Sequence, residues 1–159
     1  MTDAHSAHEK LDRENENLSF SACWTHARRR FAEAVKALPK EKKDTVSDTI
    51  AHQALPRIAA IYHLDNELSC MIAKKRCEKR KLTIQPLIEA YFVWLKNIRI
   101  DEVSSAKTKD GISYSLNRQK TLRMFLEDGE IPLDNNATER ALRSFCLYKL
   151  YLAASNGGF

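Results

Sequence analysis

Apolar side chains recur three and four positions apart along most of this chain, and prolines or a glycine mark the ends of the runs. A chain patterned in this way can bury its apolar groups only as amphipathic helices. Trp24, Ala27, Phe31, Ala34 and Leu38 form one stripe, stopped by Pro39, which cannot donate to the preceding turn. A second stripe runs from about 42 to 73 through Val46, Ile50, Ile58, Ile61, Tyr62, Leu64, Leu68 and Ile72. Pro56 is expected to divide it into two helices or to kink one. Pro86 sits where a helix favours its first residue, with Leu87, Tyr91, Trp94 and Ile98 as the buried side. After a polar, loop-like stretch over 101–110, a helix from about 109 to 128 uses Ile112, Leu116, Leu122, Phe125 and Leu126. Gly129 is placed to end it in a left-handed cap.

The remainder is less regular. Residues 1–17 are polar and without period, and read as a mobile leader. Leu18, Phe20 and Ala22 alternate with serines, as in a very short strand. Ile131-Pro132-Leu133 reads as extended, and Asp134-Asn135-Asn136 as a turn whose side chains bond their own backbone. Asn136-Ala137-Thr138-Glu139 reads as a capping box opening a last helix to about Lys149. With only 4 Gly and 4 Pro and 43% hydrophobic residues in 159, the expected fold is mainly α, with at most one or two short strands. That excludes a β-sandwich and a Gly-rich cofactor fold.

Several function classes drop out. There is no secretory signal, no run long enough to span a bilayer, no P-loop and no dinucleotide fingerprint. The cysteines Cys23, Cys70, Cys77 and Cys146 are scattered, which fits reduced thiols packed as small hydrophobes in a cytoplasmic protein. Cys23 and His26 make half of a metal site with no second half at ligand spacing.

Two features could carry chemistry. The net charge is +5, while the first twenty residues hold five acids and two bases, so the body of the chain is basic. Arg28-Arg29-Arg30 and the cluster Lys74, Lys75, Arg76, Lys79, Arg80 and Lys81 could neutralise phosphates, as could Arg143 and Lys149; a solvated helix face is the plainer alternative. Asp134 and Glu139 are the other feature. A carboxylate in the first turn of a helix can face Mg²⁺, although closing a capping box also accounts for Glu139.

Several segments together resemble one family. Cys23-Trp24-Thr25-His26-Ala27-Arg28-Arg29-Arg30-Phe31 resembles the Cys-Trp-x-His-Ala-Arg-Arg-x-Phe signature of transposases of the insertion-sequence-66 family. Arg76, Arg80 and Pro86 fall where that family has its Arg…Arg…Pro segment. Tyr114 to Gly129 resembles its helix before the acidic turn, and Asp134-Asn135-Asn136-Ala137-Thr138-Glu139-Arg140 its Asp-Asn-Asn-x-x-Glu-Arg motif. The resemblance runs from about residue 18 to the end.

It implies a DDE-type recombinase with a ribonuclease-H-like core and a helical insertion. In such an enzyme two aspartates and one glutamate hold two Mg²⁺ ions, cut DNA at transposon ends and join the freed ends to target DNA. The glutamate maps onto Glu139. The two aspartates would precede Cys23, where the chain offers only Asp3 and Asp12 in polar sequence. The resemblance therefore implies a leader over 1–17 and a partial catalytic region over 18–159, truncated at both ends: helical insertion over 18–128, acidic turn, final helix and tail over 129–159. Such a chain is expected to hold no Mg²⁺ stably and to be inactive alone. DNA, an intact transposase or a second copy would be its partners, at the nucleoid if DNA-bound. The alternatives are a basic helical DNA-binding or regulatory module, and a structural remnant without function.

Overall fold

The computed structural model of the chain describes residues 22–38 and 49–134. Among these residues there are six α-helices and no strand: α1 (Trp24–Lys36), α2 (Ile50–Glu67), α3 (Ala73–Thr83), α4 (Gln85–Lys96), α5 (Ala106–Asn117) and α6 (Gln119–Leu122). Two short 3-10 turns, Ile100–Glu102 and Met124–Leu126, complete them. The fold is mainly α, as the periodicity requires. The leader, residues 18–21 of the expected strand, and everything after Asp134 lie outside the described residues.

The first stripe behaves as its spacing dictates. Trp24, Ala27, Phe31 and Ala34 are buried, and α1 packs against both α2 and α5. The contact with α5 is close because Gly111 has no side chain; a Cβ there would stand 2.9 Å from the Phe31 ring. Trp24 also meets Tyr91 and Phe92 of α4, with ring centroids 5.7 and 6.3 Å away. These tilted contacts join α1 to the centre of a single core.

The prolines act differently from each other. Pro86 opens α4 as expected. Pro56 does not divide α2, which runs unbroken from Ile50 to Glu67. Proline removes only the amide that would serve the His52 carbonyl, and Pro56 itself is exposed. Ala54, Ile58 and Ile61 on the opposite side are buried and hold the helix to the core. Thr49 caps its start, accepting from the His52 N–H at 3.3 Å.

Other expectations need correction. The buried face of α4 is Ile88, Tyr91, Phe92 and Leu95, continued backward by Ile84; Leu87 is exposed and Trp94 and Ile98 are half-buried. Trp94 instead takes the Arg57 guanidinium over its ring at 4.3 Å. The stretch 101–110 is not a loop throughout, since Ser105 caps α5 by accepting from Thr108 N–H. Nor is 109–128 one helix: it breaks at Arg118 into α5, α6 and a 3-10 turn. The Leu122 carbonyl takes the Trp24 indole N–H at 2.9 Å, while Leu126 N–H bonds back to the Arg123 carbonyl. A tertiary donor thus holds a carbonyl that a continuous helix would use itself.

Gly129 is not a left-handed cap, because no described glycine has positive φ. Its reason is proximity. A Cβ at that position would fall 1.9 Å from the Ala73 carbonyl oxygen at the start of α3.

Candidate functional site

The candidate site is the strap from Leu122 to Asp134 that leads into the acidic turn, together with what fastens it. Two arginines of α3 hold it from one side. Arg80 is 2% exposed and lies over the Phe125 ring at 5.0 Å. Its Nε and Nη2 donate to the Asp65 carboxylate of α2 at 2.7 and 3.3 Å. Its Nη1 donates to the carbonyls of Phe125, Asp128 and Ile131 at 2.8, 3.3 and 2.9 Å. One turn earlier, Arg76 donates to the Gly129 carbonyl at 2.9 Å and to those of Leu68, Ser69 and Met71 at the end of α2. A flat guanidinium with five donors can serve several fixed acceptors at once, which a lysine cannot.

From the other side the strap meets the start of α1. Ala22 N–H bonds to the Thr121 carbonyl and Trp24 N–H to that of Leu133. Thr25 Oγ1 donates to Asp134 Oδ2 at 3.3 Å and stands 3.0 Å from the Tyr62 hydroxyl. With the threonine proton committed to Asp134, the tyrosine is the donor of that second bond. Burial pushes the Tyr62 phenol above its ordinary range, and the Asp134 charge adds to the shift against the opposing Thr25 bond. The phenol therefore stays protonated and the chain Tyr62–Thr25–Asp134 persists across neutral pH. A groove of about 260 Å³ opens here, lined by Tyr62, Asp65, Arg76, Leu133 and Asp134 among others.

The residues singled out by sequence separate into distinct roles. Cys23 and Trp24 are buried and His26 is half-buried. Arg28 and Arg29 are exposed, whereas Arg30 is tied to Asp110 and lies over the Tyr114 ring at 4.5 Å. Lys74, Lys75 and Lys79 are exposed; Lys81 pairs with Glu127 at 3.3 Å. Arg76 and Arg80 point inward, so their donors are spent on the protein and not on a phosphate. Cys70 is exposed, unlike a packed thiol, and Cys77 is half-buried with its Sγ 3.3 Å from the Leu126 carbonyl. Asn135, Asn136, Glu139, Arg140, Arg143, Cys146 and Lys149 lie outside the described residues.

Thr25, Tyr62 and Asp65 were not singled out by the sequence reading. Asp65 had a signal: it stands four after Ile61 and three before Leu68, on the apolar stripe of α2, where an acid demands a partner. Thr25 and Tyr62 had none. Among the described residues no three His, Cys, Asp or Glu side chains come together to hold a cation. Asp134 has a Thr25 hydroxyl on one oxygen, and by themselves these residues do not fit Mg²⁺.

The chain matches the Transposase IS66 family over residues 1–156. It is 31% identical over 134 residues to uncharacterized protein y4hP of Sinorhizobium fredii (strain NBRC 101917 / NGR234), a match covering 82% of this chain and 24% of that protein. It is 28% identical over 170 residues to uncharacterized protein y4qI of the same strain, covering 99% of the chain and 30% of the relative. The chain thus spans from 24% to 30% of the length of these relatives. No solved structure matches it.

Proposed function

This chain belongs to the Transposase IS66 family, and on that premise we propose that it is the helical part of the catalytic region of a DDE-type transposase, carrying one carboxylate of the metal-holding trio at Glu139. In the whole enzyme that trio would bind two Mg²⁺ ions, cut DNA at transposon ends and join the freed ends to a target. DNA is then the partner, and the nucleoid the place of work. The observation that carries this reading is convergence: the Cys-Trp-Thr-His segment, the two arginines of α3 and the helix before the acidic turn all close on the strap ending at Asp134. Two separate family-like segments thus close on a third where the acidic motif begins. No helix among the described residues is long and apolar enough to cross a membrane.

The same reading makes these 159 residues inert on their own. One carboxylate cannot hold two Mg²⁺ ions against their hydration, and ahead of Cys23 the aspartates are only Asp3 and Asp12, in polar sequence. Purified chain with labelled element-end DNA and Mg²⁺ should give neither cleavage nor joining; cleavage abolished by Glu139→Ala would contradict this. The genomic DNA flanking the reading frame is an independent check. Frames upstream should encode two aspartates on strand-like runs, and their absence would count against the assignment.

A further inference from the structure

The cations of α3 are sorted by type around the helix. At 100° per residue, Arg76 and Arg80 fall on the inward side with Ala73, Cys77 and Ile84, while Lys74, Lys75, Glu78, Lys79 and Leu82 fall on the outward side and are exposed. The ammonium groups of Lys74, Lys75 and Lys79 make no hydrogen bond or ion pair among the described residues. Glu78, one turn after Lys74, is the single acid on this face, against three lysines. Its first turn holds two lysines and no acid, at the end where the helix dipole disfavours cations. Lys75 and Lys79 also stand one turn apart as a like-charged pair, which weakens a helix. Such a placement leaves the three ammonium groups in solvent and open to anions from outside.

We propose that this outward lysine face of α3 is a docking surface for the phosphodiester backbone of duplex DNA. The three ammonium groups are spread over about 7 Å of helix axis, or about two phosphate steps of one strand. Hydrated point charges on flexible stems suit contacts that track a backbone without reading bases. The inward arginines give the contact a consequence. They bind the same helix to the carbonyls of Phe125, Asp128, Gly129 and Ile131, so a duplex held on the lysines lies in a fixed register to the strap that ends at Asp134. The choice of DNA over another polyanion rests on the transposase reading above; the choice of face rests on the sorting of the side chains.

The test is fluorescence anisotropy of a labelled duplex titrated with the purified chain over a range of salt. The parent should bind with a strong salt dependence. K74Q/K75Q/K79Q should weaken binding at least tenfold at low salt and reduce the slope of log K against log salt by about 2 to 3. K74R/K75R/K79R should bind like the parent. K36Q/K107Q/K120Q, which removes the same charge from exposed sites elsewhere, should keep most of the affinity. Equal weakening by both neutralised triples, or no binding of the parent at low salt, would overturn the proposal. So would a stronger preference for single-stranded RNA or polyglutamate that the α3 triple abolishes. None of these outcomes bears on cleavage by the whole enzyme, which the flanking-frame and cleavage tests address separately.

Discussion

Arg80 shows how a charged residue can be more internal than most of the described leucines. Its guanidinium is buried, and five hydrogen bonds to Asp65 and three carbonyls compensate for the lost water. A buried pair of this kind adds little net stability, but losing one partner strands the other. Arg80→Met should therefore cost about 3 to 5 kcal/mol in urea unfolding, and Arg80→Lys should recover only part of it, because an ammonium cannot reach the carboxylate and all three carbonyls. The double variant R80M/D65L should be more stable than R80M alone. If R80M is neutral, the pairing described here is not what holds the strap. A surface pair behaves differently. Arg123 donates to both oxygens of Glu89 at 3.0 and 2.7 Å and, chiefly by these bonds, holds that carboxyl below its usual range. A depressed folded-state pKa means its stabilisation is present above the unfolded pKa and is lost as pH falls through the folded one. Glu89 is half-exposed, so screening keeps the contribution small. Arg123→Gln should move the Glu89 titration up toward an ordinary glutamate in carboxyl NMR, while leaving unfolding at neutral pH nearly unchanged.

At the scale of elements, the order of helices follows from periodicity, but their faces and breaks follow from tertiary donors. α1 was legible because its outer positions are Arg28, Arg29, Glu33 and Lys36, so only one face could be buried. α4 was not, because it is apolar nearly all round: Ile84, Ile88, Tyr91 and Leu95 keep a helical spacing as well as Leu87, Tyr91, Trp94 and Ile98 do. The end of α6 at Leu122 depends on the indole N–H of Trp24, nearly a hundred residues away, and no local pattern announces that. For the candidate site, the charge on an apolar stripe was readable as an anomaly at Asp65, whereas Arg80 stood among like basic neighbours that hid its burial, and the Tyr62–Thr25–Asp134 chain existed only once the helices had met. Gly129 belongs to this scale too, since it sets how closely the strap approaches α3. Gly129→Ala would force the Ala73 backbone away from a 1.9 Å clash and lengthen the Arg76 bond to the same residue's carbonyl. The expected result is a loss of about 1 to 3 kcal/mol, with amide exchange accelerated first at Glu130 and Ile131. Unchanged exchange there would show that the strap is fastened elsewhere.

For the molecule as a whole, the question is whether these helices form one cooperative unit or a loose remnant. The described core is continuous from Trp24 to Leu133 and draws on helices α1, α2, α4, α5 and α6. Its closing contacts join the ends of the described chain: Trp24 N–H meets the Leu133 carbonyl, and the Trp24 ring lies against Tyr91 and Phe92. When first and last segments share a core, neither can leave without exposing the other, and unfolding becomes all-or-none. The two tryptophans sit at different places in that core, Trp24 at its centre and Trp94 at the α4 surface under Arg57. Single-tryptophan variants W24F and W94F should therefore each give a fluorescence midpoint that coincides with loss of helical circular dichroism in the same variant. W24F should unfold at lower urea, since it also deprives the Leu122 carbonyl of its donor, at about 1 to 3 kcal/mol. Two separated midpoints within one variant would mean that α1 and the strap come away before α2 to α4 do. In that case the register between the lysine face of α3 and Asp134 would not survive in solution, whatever DNA the lysines bind.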